Sequence, residues 1–194
     1  MIVPVRFQDM KAAELERPQV VILGRSNAGK SSLLNMVFKQ KLARVSQNPG
    51  CTGNLWFYRW KNGYWVDCPG YGFAKRAQSL RGKWKQQMET YLSSSPGLRG
   101  AVLLLDARRS WTEDETDLAL ALQFWQIRLC IGLTKIDKVS RSYAIQKRKE
   151  LAALALSQSV FTLSIKQPQT VRALVAWVNE YGFKKQLNPV VETS

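Results

Sequence analysis

The sequence contains no histidine. That absence excludes Ser-His-Asp and Cys-His nucleophile systems and every His-ligated metal site. Chemistry must then run on lysine, carboxylates, hydroxyls, backbone groups or a bound ion. Cysteine is scarce. Cys51, Cys68 and Cys130 are odd in number, widely spaced and without a CxxC pair, which suits a reducing cytosol better than a disulfide framework or a zinc site. Long hydrophobic runs are missing as well. Runs such as AVLLL at 101–105 are far too short to span a bilayer, and residues 1–18 lack the basic start and apolar run of a signal peptide. The expected setting is cytoplasmic, with no membrane partner. Acid is the rarer charge: 14 Asp+Glu stand against 29 Lys+Arg, for a net charge of +15.

The 194 residues are enough for one domain with its own core and no covalent or metal staples. The expected division is an N-terminal extension over 1–17, a nucleotide-binding domain over 18–183 and a C-terminal tail over 184–194. Short apolar, β-branched runs recur at 20–23 (VVIL), 101–105 (AVLLL), 127–133 (IRLCIGL) and 160–163 (VFTL), the pattern of buried strands in a mainly parallel sheet. Segments with helical spacing lie between them. Leu33, Leu34, Val37 and Phe38 share one face, as do Trp84, Met88, Tyr91 and Leu92. Leu118, Ala121, Leu122 and Trp125 form a third such face, and Val171, Leu174, Val175 and Val178 a fourth, with Gly182 as a stop. Residues 55–60 (LWFYRW) and 64–67 (YWVD), separated by Lys61-Asn62-Gly63, break the alternation and predict an antiparallel hairpin. The expected fold is therefore α/β: a mainly parallel sheet of six to seven strands with one antiparallel hairpin strand and helices on both faces.

Gly24-Arg25-Ser26-Asn27-Ala28-Gly29-Lys30-Ser31 matches GxxxxGK[ST]. It follows a predicted strand and opens a predicted helix, Ser32–Phe38, the context that a phosphate-binding loop requires. Glycines let successive N–H groups face the phosphates, and the helix N-terminus adds partial positive charge. Lys30 is placed along the β- and γ-phosphates, and the Ser31 hydroxyl on Mg²⁺. Asp67-Cys68-Pro69-Gly70 ends the second hairpin strand and matches DxxG. Asp67 is the candidate for the Mg²⁺ shell, and the Gly70 N–H for the γ-phosphate.

Thr134-Lys135-Ile136-Asp137 follows another strand and matches [NT]KxD. Guanine presents two donors, N1–H and the N2 amine, that one carboxylate can accept together. Adenine has neither, so Asp137 would be left desolvated and unpaired. Ser164-Ile165-Lys166, after the run at 160–163, offers a backbone N–H for guanine O6. GTP and GDP are thus the expected ligands.

In this order the motifs resemble a translation-factor-type G domain of the TrmE–Era–EngA superfamily, and more closely the EngB (YihA/YsxC) family of ribosome-assembly GTPases. GRSNAGKSSLLN at 24–35, Pro49-Gly50-Cys51-Thr52, DCPGYGFAK at 67–75, LLLDARRS at 103–110 and LTKIDK at 133–138 carry the likeness. By that resemblance Ser32, Pro49, Gly50 and Cys51 join the nucleotide-binding set. Thr52 becomes the threonine that closes on Mg²⁺ and the γ-phosphate, acting there with Lys30 and Gly70. Residues 39–53 and 68–80 become the two switches. The sequence departs from the family pattern at Cys51 and Gly53, where PGRTQ is usual, and at Ser164-Ile165-Lys166. Ras-like domains place a water-orienting Gln after the DxxG glycine; here Tyr71 stands there, which implies slow intrinsic hydrolysis. Some relatives hold K⁺ through an Asn at the position of Asn27, making it a candidate K⁺ ligand.

The basic excess has two readings, a solvated surface or attraction to RNA phosphates. Lys75, Arg76, Arg81, Lys83 and Lys85 form an acid-free run that continues from the second switch and are the candidate RNA contacts. Lys138, Arg141, Lys147, Arg148 and Lys149 form another basic run, and Arg99, Arg108 and Arg109 lie at strand ends. Seven tryptophans offer stacking surfaces, although Trp84, Trp125 and Trp177 sit on apolar helix faces. The resemblance implies a large ribosomal subunit or its precursor as partner, bound by a monomer. A regulatory G protein with a protein partner and a P-loop kinase or ATPase are the alternatives; TKID speaks against the second.

Overall fold

The structure is a computed structural model that describes residues 3–42, 55–71, 86, 88–154, 156–157 and 159–183. Seven strands form a single sheet: β1 (Val5–Arg6), β2 (Gln19–Gly24), β3 (Trp56–Trp60), β4 (Gly63–Asp67), β5 (Leu98–Asp106), β6 (Arg128–Thr134) and β7 (Ser159–Thr162). Their order across the sheet is β1-β3-β4-β2-β5-β6-β7. β4, β2, β5, β6 and β7 run parallel, and β3 alone opposes its neighbours, pairing antiparallel with both β4 and β1. This is the mixed sheet with one reversed hairpin strand that the sequence predicts. Two differences are local. The turn is Lys61-Asn62, with Gly63 already in β4, and β1 is a two-residue edge strand that no periodicity announced.

The central strand β2 is buried along its whole length, and its alternate residues face two helical layers. Val20 and Ile22, with Val102 and Leu104 of β5, pack against α2 (Lys30–Phe38) and α6 (Pro168–Trp177) through Leu34, Phe38, Leu174 and Trp177. Val21 and Leu23, with Ala101 and Leu103, pack on the other side against α3, whose described part is 88–94, and α4 (Glu113–Phe124). There Met88, Tyr91, Ala119 and Leu122 supply the contact. Leu105, Ile131 and Leu133 pack against Leu151 of α5 (Arg141–Ala153). The fourth predicted helix face ends in a short π-helical turn, Val178–Gly182, so Gly182 does mark its end.

Residues 5–17 lie against this sheet. After β1 comes a short helix α1 (Ala12–Leu15), whose Glu14 accepts a hydrogen bond from the Tyr64 hydroxyl and pairs with Arg17. Among the described residues, no helix is long and apolar enough to cross a membrane.

Candidate functional site

The parallel strands deliver their C-terminal ends to one edge of the sheet, where α/β proteins bind ligands. Register aligns Ile22 with Asp67, Gly24 with Leu104 and Asp106 with Thr134. The motif residues, far apart in the chain, therefore meet along one rim.

On the phosphate side, the loop 24–29 turns from β2 into α2. Gly24 and Gly29 adopt φ of 145° and 101°, conformations that a Cβ disfavours. Asn27 enters the left-handed region at φ 63°, and its side chain is exposed. Lys30, mostly buried, donates from Nζ to the carbonyls of Gly24 (3.0 Å) and Arg25 (3.2 Å). Ser31 and Ser32, in the first turn of α2, are half-buried. The Arg25 guanidinium turns toward α4, donating to Glu115 (2.9 Å) and Asp114 (2.7 Å). Its side-chain charge is thereby matched by carboxylates of that helix.

The DxxG segment lies directly on this loop. The Ser26 N–H donates to the Tyr71 carbonyl at 3.1 Å. A Cβ on Gly70 would lie 2.7 Å from Lys30 Nζ and 2.8 Å from the Ser26 nitrogen, so no larger residue fits. Asp67 is 3% exposed, and its Oδ1 has no hydrogen-bond partner among the described residues. Burial pushes its carboxyl up to about 6 despite the nearby Lys30. Cys68 is fully buried, donates its thiol to the Ile22 carbonyl and is pushed up to about 12 by burial. It is thus a core group rather than a reactive one. Pro69 is buried as well.

The base side is built from hydrogen bonds already made. Thr134 donates its hydroxyl to the carbonyls of Ala28 (2.8 Å) and Leu105 (3.2 Å), tying the end of β6 to the phosphate loop. Lys135, at φ 58°, donates to the Asn27 carbonyl (2.6 Å) and pairs with Asp106 (3.0 Å). Ile136 and Asp137 follow in a 3₁₀ turn. Ser164, almost wholly buried, donates its hydroxyl to Asp137 Oδ1 at 2.7 Å and accepts from the Lys166 N–H at 3.1 Å. The Ser164 bond holds the Asp137 carboxyl below the ordinary aspartate range, so it stays an acceptor at neutral pH. Ile165 is exposed.

Some expected residues lie outside the described ones: Pro49, Gly50, Cys51 and Thr52 of the first switch, and Lys75, Arg76, Arg81, Lys83 and Lys85 of the basic run. Of the second basic run, Lys138, Arg141, Arg148 and Lys149 are exposed around α5, while Lys147 is half-buried and pairs with Glu150. Arg108 is matched by Asp106 at 2.7 Å. No described tryptophan is exposed: Trp65 and Trp177 are buried, and Trp56, Trp60, Trp111 and Trp125 pack against the core.

Two residues at the site escaped sequence reasoning, Asp106 as a partner of Lys135 and Glu115. Asp106 stands in the LLLDARRS stretch, which showed no chemistry of its own. Glu115 was visible only as the fourth residue of Thr-x-x-Glu, a helix-start pattern.

The strand order, the strand–loop–helix around Lys30 and the TKID turn define a P-loop G domain. Residues 19–135 match the model of a family described as the 50S ribosome-binding GTPase. Over 193 residues, covering 95% of this chain and 96% of the relative, the sequence is 38% identical to the probable GTP-binding protein EngB of Bdellovibrio bacteriovorus. The chain therefore belongs to the 50S ribosome-binding GTPase family, in its EngB group of GTP-binding proteins. Its fold is shared with a crystal structure of a probable GTP-binding protein EngB (TM-score 0.69, 21% identity, 84% of this chain and 97% of that one). It is shared too with Era in complex with MgGDPNP and a segment of 16S ribosomal RNA (TM-score 0.66, 18% identity, 89% of this chain and 59% of that one).

Proposed function

We propose that this protein is a slowly hydrolysing, Mg²⁺-dependent GTP switch that acts in assembly of the large ribosomal subunit. The observation that carries the reading is the meeting of Asp67, Lys30 and Gly70 at one point of the rim, with a buried carboxylate oxygen that has no hydrogen-bond partner. Among the described residues no three His, Cys, Asp or Glu gather to enclose a metal. One carboxylate and a hydroxyl instead suit a hard cation that takes its other ligands from phosphate oxygens and water, as Mg²⁺ does. Asp67, Ser31 and, from the first switch, Thr52 are the residues that would hold it. When bound, Mg²⁺ neutralises charge on the β- and γ-phosphate oxygens.

The chain's own groups supply the rest. Lys30 and the N–H groups of residues 24–32 stabilise charge on the transferred phosphoryl, and the Gly70 N–H meets the γ-phosphate. Pro49, Gly50, Cys51 and Thr52 complete the proposed nucleotide-binding set. Asp137, held by Ser164, accepts both guanine donors, and the loop 164–166 faces O6. The Tyr71 hydroxyl donates to Glu115, and with no glutamine at this position to orient water, slow intrinsic turnover is the expected behaviour. Asn27, exposed on the loop, is the proposed K⁺ ligand; equal turnover in K⁺ and Na⁺, measured with ribosomal particles present, would remove that ion from the scheme.

The family description favours a 50S particle, and the net charge of +15 supports a polyanionic partner. Lys75, Arg76, Arg81, Lys83 and Lys85 are the proposed RNA contacts, in a cytoplasmic protein acting as a monomer over its domain of residues 18–183. The test is co-sedimentation with purified subunits at low and high salt, with GDP or a non-hydrolysable GTP analogue. Binding to the large subunit that strengthens with the analogue and weakens with salt is the expected result. Nucleotide-independent binding, or preference for a protein partner over the subunit, would overturn it.

A further inference from the structure

The N-terminus of α4 is closed by a capping box. Thr112 accepts from the backbone at Glu115, and Glu115 reaches back to the Thr112 N–H at 3.0 Å. Glu115 also has a second set of partners. Its Oε1 accepts from the Tyr71 hydroxyl at 3.0 Å and from the Arg25 Nε at 2.9 Å. One carboxylate, 1% exposed, therefore joins the phosphate loop, the residue after the DxxG glycine and the start of α4. Burial alone would raise its pKa, but the bonds from Thr112, Arg25 and Tyr71 outweigh burial and hold it below the ordinary range. It is ionised, so its bond to Tyr71 is charge-assisted.

Among its described interactions, Tyr71 is consequently held by its ring hydroxyl on Glu115 and by its carbonyl on the Ser26 N–H. Its neighbour Gly70 is pressed onto the phosphate loop, where even a Cβ would lie 2.8 Å from the Ser26 backbone nitrogen. A terminal phosphate placed between Lys30 and the Gly70 N–H needs a hydrogen-bond length of roughly 2.8 Å on each side. Lys30 leaves the Gly24 and Arg25 carbonyls to meet it, and on this reading Gly70 withdraws to admit it, with Tyr71 moving alongside. A diphosphate makes no such demand.

We infer that Glu115 is a positioning residue that sets the discrimination between GTP and GDP, by holding Tyr71 and through it Gly70 against the phosphate loop. The inference rests on the guanine-nucleotide site proposed above. Its physical content is a population shift: the Glu115–Tyr71 bond favours the form in which Gly70 is down, and only a ligand that interacts differently with the two forms can move that balance.

The test uses the full-length protein with Mg²⁺, titrated calorimetrically with GDP and with guanylyl imidodiphosphate. The readout is the ratio of the two affinities. Tyr71→Phe removes one hydroxyl and should shift the ratio toward the triphosphate analogue by about tenfold or more, the worth of one hydrogen bond to a charged group. Glu115→Gln should shift it the same way. Asp114→Ala, which removes only the outer partner of Arg25, should lower the melting temperature slightly and leave the ratio alone. A Tyr71→Phe ratio within about twofold of wild type, a range far below one hydrogen bond, would overturn the inference even if Glu115→Gln failed to fold. Wild-type protein that binds neither nucleotide would overturn both the site and the inference.

Discussion

The two ends of the candidate nucleotide site are built on opposite principles. On the base side, Thr134, Lys135, Asp137 and Ser164 are locked in hydrogen bonds to one another and to the phosphate loop, and Asp137 is held below its ordinary pKa by Ser164. On the phosphate side, Asp67 has a buried oxygen without a partner among the described residues and is held above its ordinary pKa by burial. Gly70 is held down by a bond that lies one residue away, at Tyr71. A base is the same in every nucleotide state, so its pocket gains from being finished in advance. A terminal phosphate comes and goes, so its pocket must keep groups whose interactions can change.

The phosphate side depends most on Lys30. Lys30→Ala should weaken GDP and GTP-analogue binding roughly a thousandfold, as truncation of one partner of a buried charge pair costs several kcal/mol; calorimetry reads it directly. At the other end, Asp137→Asn should cost guanine nucleotides at least about a hundredfold, because a donor pair then faces a single acceptor and an amide. Xanthine nucleotides, with a carbonyl at C2, should gain in the same competition assay.

Asp67→Asn should separate stability from function. A carboxyl whose folded pKa is raised to about 6 from 3.8 is destabilising when ionised. Without nucleotide or metal, the wild-type protein should gain stability as pH falls from about 6 toward 4. Asp67→Asn should remove that dependence and stabilise the protein at pH 7 by on the order of 3 kcal/mol, read as a higher melting temperature, while abolishing the Mg²⁺-dependent part of nucleotide affinity. Ser164→Ala should have the smallest effect. It removes one donor from Asp137 and should lower guanine affinity about fivefold, with no change in GTP-to-GDP ratio. A changed ratio there would mean that the two ends are not as independent as their construction implies.

Much of this arrangement is legible in the chain. The buried runs that became β2, β5, β6 and β7 announce themselves by apolar, β-branched residues, and the aromatic pair of segments at 55–67 announces the hairpin. The phosphate loop, the DxxG aspartate and TKID are local patterns whose chemistry follows from residue type and spacing. β1 was not legible because two residues carry no period; only the free edge of β3 makes Val5–Arg6 a strand. The fate of the charges was not legible either. Arg25 and Arg108 count toward the basic excess in the composition, yet Asp114, Glu115 and Asp106 match them in space. The sequence puts Trp125 and Trp177 on apolar helix faces but leaves the other described tryptophans open to stacking, and folding brings every described one against the core.

What the sequence determined alone is the set of parts: a glycine loop between a strand and a helix, a carboxylate at a strand end, and an acidic residue for a base with two donors. These are encoded by neighbours within a few positions, where backbone geometry fixes the relation among residues. Only the tertiary structure decided that Asp67 would be buried with an oxygen unpaired, that Gly70 would press upon Lys30, and that Glu115 would join Arg25 and Tyr71. Those partners are 90 and 44 residues away from it, and contacts at such separations arise from how the sheet and its two helical layers pack.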